Sequence, residues 1–374
     1  MDVTPSHPAS SPLRPLSELR GCIDAVDEQI LALLNERAKL ANEVGEYKRT
    51  LLPGSPFHVP ARERQILERL EGLNAGPFPK DAIRPVFREI MSACLSLERP
   101  LHIAFLGPEG TFSHQAVNTQ FGLSVQAMPQ ASIPGVFQTV ERGQADYGVV
   151  PVENATEGAV DPTLDAFLDS PLRIVAEILL PVDLALLMRH DLEISRIKRV
   201  YSHPQPLGQC QRWLATHLPQ ATTVVASSTT EAARLAREDA EGAAVASELA
   251  SKLFDLRVTA EGIQDMGGNA TRFWVIGGQP PPPSGRDLTS LLVTVKDQPG
   301  VLLHLLEPLA RHGLNLSRIQ SRPTRRKAWE YAFFLDLEGH EQDPAVAEAL
   351  NELARVSSSV KLLGSYPKAE ESNR

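Results

Sequence analysis

Arg37 and Lys48 lie eleven residues apart in a stretch of helical periodicity. At 100° per residue that spacing sets them ~20° apart around the axis and ~16 Å apart along it. Two long cationic side chains so placed can converge on one small anion. The bland alternative is that their stems pack on a core while their heads stay in water. A second charged pair, Arg62-Glu63, opens the next periodic stretch and favours the anion. Arg20 precedes Arg37 by seventeen residues, ~25 Å along the axis and ~100° around it. It is therefore either a surface charge or a residue used by a second copy of the chain.

A different chemistry is suggested further on. Four polar clusters border apolar runs: GPEGTFSH (107–114), VPVENATEG (150–158), YSHPQPLGQC (201–210) and NATRF (269–273). In an open α/β sheet, polar residues at strand ends point into a shared crevice. The first cluster alone reads equally as a helix N-cap or as an anion site on free amides. The last sets the hydroxyl of Thr271 and the cation of Arg272 at the mouth of the apolar run FWVIG, where the crevice reading faces them toward a ligand.

The elements that must position these groups fall into three grammars. Residues 16–99 read as all helix: Leu16, Leu19, Ile23, Val26, Ile30 and Leu33, then Leu40, Val44 and Tyr47, form one stripe about 35 residues long. Such a stripe needs a partner to cover it. A second helix follows Pro60 and a third starts near Asp81. Residues 100–278 alternate short apolar strands with amphipathic helices. Residues 279–287, QPPPPSGRD, read as a proline-rich spacer. Residues 288–367 run strand, helix, strand, strand, helix, strand, the ferredoxin-like order. Tails at 1–15 and 368–374 complete the chain; the first is rich in Pro and Ser and reads as disordered.

Composition narrows the class. The chain has 374 residues, 42% of them apolar, which suits two or three globular domains. A net charge of −9 argues against nucleic acid. No apolar run approaches the ~20 residues of a membrane span, and the first residues lack a signal-peptide core. Three scattered cysteines make no disulfide framework, so a reducing cytoplasm is expected. Ten scattered histidines show no ligand spacing, so neither a metal nor a cofactor is expected.

The helical segment resembles the small chorismate mutase domain at the N-terminus of bacterial P-proteins, through LSELRGCIDAVDEQILALLNERAKLANEVGEYK, PARERQILERL and VFREIMSACLSLE. The resemblance implies an intertwined helical dimer. In it Arg37, Lys48 and Arg62 hold the carboxylates and ether oxygen of chorismate, Glu63 takes its hydroxyl, and Arg20 comes from the other protomer. The rearrangement is pericyclic and needs only a site that folds a dianion and stabilises charge on the ether oxygen, work suited to arginine forks. Two positions depart from the family: Val59 stands where relatives carry Asp, and Glu98 where they carry Gln. Glu98 can donate to the ether oxygen only when protonated. Burial beside Cys94 and Leu97 raises its pKa and nearby cations lower it.

The four polar clusters are, in order, the hallmark stretches of prephenate dehydratase, which this segment resembles over some 178 residues. That family implies two α/β lobes like a periplasmic binding protein, with prephenate held between them. By resemblance Thr271 donates to the departing hydroxyl, Arg272 pairs with a substrate carboxylate or forms a structural bridge, and Asn154, Ser202, Gln209, Ser113, Thr156 and Glu153 complete the site. Ala155 replaces a family serine. The last segment resembles an ACT domain, through PGVLLHLLEPL and QSRP (320–323). It implies a second dimer interface binding L-phenylalanine, with Gly300, Val301 and Leu302 at a helix N-terminus and Ser321, Arg322 and Pro323 on the adjoining strand. Gln320 replaces the family glutamate there. The expectation is a feedback-inhibited bifunctional enzyme, a homodimer or higher oligomer. Its rivals are a monofunctional dehydratase with a helical dimerisation domain and a non-catalytic amino-acid sensor.

Overall fold

The computed structural model describes residues 14–52, 58–296, 298–323 and 330–369. Most of the two tails and Asp297 of the DQPG turn lie outside these. Among the described residues no helix is long and apolar enough to cross a membrane.

The helical segment forms α1 (Leu16–Leu51), α2 (Pro60–Leu73) and α3 (Lys80–Glu98). Pro60 takes the first position of α2, where its missing N–H costs nothing. α1 packs along α3, yet Gly45 is the one residue of α1 that is buried. Leu16, Ile23, Val26, Ile30, Leu33, Leu40 and Tyr47 stand half or more exposed, and Val44 nearly so. The apolar stripe expected from the sequence is present and nothing in the single chain covers it.

α3 also docks on the following segment. Its Glu89 and Ser92 accept the backbone N–H groups of Leu123 and Ser124. Gly122, at φ +75, lets that turn approach so closely that a Cβ there would lie 2.6 Å from Cβ of Ser92.

Two sheets build the central segment. In the first, Gln126–Gln130, His102–Leu106, Tyr147–Asn154, Ala270–Gly277 and Arg173–Pro181 lie in that order, with the short strand Gly158–Ala159 paired to the third. The second runs Arg257–Ala260, Ala185–Met188, Gly242–Ala246, Arg199–Ser202, Thr222–Val225. The chain crosses to the second lobe after residue 181 and returns at 270, so the strand that carries TRF is the return strand. It sits inside the first sheet, antiparallel to both neighbours.

The last segment is a four-stranded antiparallel sheet, ordered Leu316–Pro323, Glu330–Glu338, Asp287–Lys296, Ser359–Pro367, with two helices. Its first strand begins at Asp287, inside the predicted spacer, because Asp287 accepts from the backbone N–H of Ser284 and Gly285 and so closes the turn. Strand alternation divides this sheet. Leu291, Val293, Val295, Leu335 and Leu337 face its own helices. Leu288, Leu292, Ala332, Phe334 and Tyr366 join Trp274, Phe167 and Ile174 of the first lobe in one continuous core. The last segment therefore forms one wall of the first lobe. A Cβ at Gly364 would lie 2.2 Å from the carbonyl oxygen of Ile174, so only glycine permits this approach.

Candidate active sites

The return strand pairs Thr271 with Asn154 and Arg272 with Glu153. Neighbouring residues of a strand point to opposite faces. Thr271 and Asn154 share one face; Arg272 and Glu153 share the other.

On the first face a chain of hydrogen bonds runs in one direction. Asn269 Nδ2 donates to Gln209 Oε1 (3.4 Å), and Gln209 Nε2 to Thr156 Oγ1 (3.3 Å). Thr156 Oγ1 donates to Asn154 Oδ1 (2.6 Å), and Asn154 Nδ2 to Thr271 Oγ1 (2.9 Å). Thr271 is thus an acceptor within the chain, and its O–H is left to donate outward. Bonds in such a series polarise one another, which strengthens the last donor. Thr156, Gln209 and Asn269 also line a cavity of about 500 Å³ between the lobes, together with Gln205, Arg212, Gln264 and Asp265; Asn154 and Thr271 lie outside that lining and join it through the hydrogen-bonded chain. Asn269 Oδ1 is buried and has no hydrogen-bond partner.

On the opposite face Arg272 is a bridge. It pairs with Glu177, with Asp336 at 2.5 Å, and donates to the hydroxyl of Tyr366 at 3.2 Å. Burial opposes its charge, but Tyr366, Asp336 and Glu177 outweigh that and hold it more firmly protonated than usual. Glu153 pairs with Arg318 at 3.0 Å. Neither Arg272 nor Glu153 reaches the cavity, because strand alternation turns both toward the last domain; the structural-bridge reading of Arg272 holds. Ser202 is also removed from the expected site: it is fully buried and donates to the carbonyl of Val245 at 2.6 Å. Ser113 is buried in the first turn of the 112–121 helix, away from the cavity lining. In the same cluster Thr111 is an ordinary cap, accepting from the backbone N–H of His114.

The helical segment holds part of a second site. Glu98 lies against Gly45, where a Cβ would stand 2.9 Å from Glu98 Cγ. Its Oε2 is buried without a hydrogen-bond partner. Burial raises its pKa, with Lys48 and Arg49 pulling the other way, and the net shift is upward. The contest between burial and cations therefore ends in favour of burial. Lys48 is brought to Glu98. Arg37 is half-buried, while Arg20 and Arg62 are exposed. Glu63 instead meets buried His58 at 3.3 Å, which contacts the hydroxyl of Tyr147 in the next segment. Burial, aided by Asp146 and Glu63, pushes that phenol up to about 12.

In the last domain Gly300 has φ +78 and precedes the Val301–Arg311 helix, with Leu302 exposed. Ser321 and Pro323 lie on the open face of their strand. Arg322 does not join them. Alternation turns it inward, where it pairs with Asp161 at 2.5 Å and Asp165 at 2.7 Å on the Asp161–Asp169 helix of the first lobe.

Three family models match in order: chorismate mutase type II over residues 19–99, prephenate dehydratase over 103–281 and the ACT domain over 289–355. The bifunctional chorismate mutase/prephenate dehydratase of Aquifex aeolicus is 49% identical over 358 residues, spanning 95% of this chain and 98% of that one. The chain belongs to the bifunctional chorismate mutase/prephenate dehydratase family. Among solved structures, the prephenate dehydratase of Arthrobacter aurescens in complex with L-Phe is 37% identical, with a TM-score of 0.68 over 72% of this chain and 90% of that one. A protein described as GqqA, a novel type of quorum quenching acylase, is 32% identical with a TM-score of 0.66, over 71% of this chain and 97% of that one. One fold can thus carry different chemistry, and the assignment rests on the full-length relatives and the three domains together.

The bifunctional chain thus holds a mutase domain, a dehydratase domain and an ACT domain. Gly45 and Asn269 escaped the sequence reading. A glycine inside a long helix costs ~1 kcal/mol against alanine and usually marks a close approach, so Gly45 carried a signal. Asn269 adjoins TRF and was visible only as part of the hallmark stretch.

Proposed function

We propose that the dehydratase domain removes carbon dioxide and water from prephenate, with the Thr271 hydroxyl donating to the departing hydroxyl. The directed chain from Asn269 to Thr271 is the observation that carries this reading. Asn154 fixes the rotor of Thr271 by donating to it, so the only proton Thr271 can offer points away from the protein network. Aromatisation drives the step, and solvent supplies the proton that leaves in water.

Chorismate rearranges to prephenate in the helical domain, where protonated Glu98 and Lys48 serve the ether oxygen. Arg37 and Arg62 hold the remaining polar groups, and Glu63, paired with His58 in the single chain, reaches the substrate hydroxyl only by leaving that contact. The uncovered stripe of α1 supports a two-chain site, completed by Arg20 of a second copy. The ACT domain binds L-phenylalanine through Gly300, Val301, Leu302, Ser321 and Pro323, and Arg322 relays the state of that strand to the dehydratase lobe. Free thiols at Cys22, Cys94 and Cys210 suit the cytoplasm. Supplying chorismate and following prephenate and then phenylpyruvate tests both activities; prephenate turnover without chorismate turnover leaves only the dehydratase.

A further inference from the structure

Prephenate carries two carboxylates, and the dehydratase cleft needs a cation for them. Arg272, the expected one, is committed to Glu177 and Asp336 on the other face of its strand. Among the residues lining the cavity, Arg212 is the only Lys or Arg. Its backbone is fixed: Asp265 accepts the N–H groups of Arg212 (2.9 Å) and Trp213 (3.0 Å), and Asp265 N–H donates back to the carbonyl of Gln209 (2.7 Å). Both Asp265 oxygens are thereby occupied by amides. The Arg212 guanidinium makes no hydrogen bond or ion pair among the described residues, and the side chain is exposed to the cavity. Glu157 and Asp265 are the other charged residues of the lining, and the Asp265 carboxylate is the one held by amides. Gln209, three residues before Arg212, belongs to the chain that ends at Thr271.

We propose that Arg212 anchors the substrate, and specifically the side-chain carboxylate that the product keeps. This rests on the dehydratase reading above. The chemistry selects between the two carboxylates. As the ring C–O bond breaks, the hydroxyl leaves as water with a proton from solvent. The electron pair of the ring carbon–carboxylate bond enters the ring, and carbon dioxide departs. Prephenate dianion plus one proton gives phenylpyruvate monoanion, carbon dioxide and water, so the balance closes without an oxidant or a cofactor. A guanidinium on the ring carboxylate would stabilise the charge that must flow out of it and slow the step. On the pyruvyl carboxylate, whose charge does not change, the same cation binds ground state and transition state alike.

Uniform binding appears in KM and not in kcat. The test is steady-state dehydration by Arg212→Gln and Arg212→Lys, with phenylpyruvate as competitive inhibitor and thermal unfolding alongside. Loss of a charge-assisted bond predicts a KM raised about 10- to 100-fold in Arg212→Gln with kcat within about 3-fold. Arg212→Lys recovers part of the loss, the melting temperature does not move, and the inhibition constant of phenylpyruvate rises in step with KM. An unchanged KM overturns the proposal. So does a fall in kcat at unchanged KM, a lowered melting temperature, or a raised KM with phenylpyruvate binding intact, which would put Arg212 on the departing carboxylate. Absence of prephenate turnover in the unaltered enzyme would refute the dehydratase reading itself.

Discussion

Removing the Arg272 guanidinium takes from buried Glu177 and Asp336 the cation that both pair with, and leaves Asp336 with Arg318 at 4.0 Å. Breaking a buried pair from one side costs ~3–5 kcal/mol, since the orphaned charge stays behind. For a unit of this size each kcal/mol shifts melting by about 2–4 °C, so Arg272→Gln is expected to melt roughly 6–20 °C lower. The guanidinium carbon lies 5.6 Å from the centre of the Trp274 ring, which makes tryptophan fluorescence during urea unfolding a suitable probe. At a temperature where the variant is still folded, KM for prephenate should stay within about 3-fold. A carboxylate-binding arginine would show the reverse, a KM raised ~10- to 100-fold with stability intact. An Arg272→Gln enzyme that melts normally and binds prephenate poorly would refute the bridge.

Thr271→Ala should lose about 10²- to 10³-fold in dehydratase kcat, the usual cost of removing one hydrogen-bond donor at developing charge, while chorismate turnover by the same preparation is unchanged. Mutase activity should fall as pH rises through the raised pKa of Glu98, because only the protonated carboxyl donates. Glu98→Gln should flatten that limb of the pH–rate profile. Gly364→Ala forces a Cβ to within 2.2 Å of the Ile174 carbonyl oxygen; a destabilisation of ~1–3 kcal/mol, the usual overpacking cost, should appear in urea unfolding. Ile23→Glu on the open stripe of α1 should abolish mutase activity, if that site takes Arg20 from a second copy, and lower the order of association in sedimentation.

Periodicity carried much of the fold. The stripe of α1, the alternation of strands and helices and the order of the last domain follow from spacing rules that local sequence obeys. The proposed site was legible where residues act through local grammar: Asn154, Thr156 and Thr271, which the structure joins by hydrogen bonds, lie in polar clusters at or beside strand ends. What failed was the facing of strand residues. Arg272, Glu153 and Arg322 look like ligands because they are charged beside functional neighbours, yet alternation sends each one the other way, toward a domain contact that no short motif encodes. Ser202 failed for a related reason, since a buried hydroxyl finds a backbone carbonyl before it finds a substrate. Arg212 gave no signal at all; an exposed arginine on a short helix is indistinguishable from ordinary surface charge.

The step from Thr271 to Arg272 has a further consequence. One peptide unit separates the hydroxyl at the chemistry from the cation clasped by the domain that senses the effector. Beside the Arg322 contact, this adjacency offers a shorter route between the two. A tilt of that one strand would turn both groups at once, so the grip on Arg272 and the aim of the Thr271 hydroxyl are mechanically coupled. Sensitivity to end product would then be recorded first in the orientation of a single O–H, before any change in the size of the cleft.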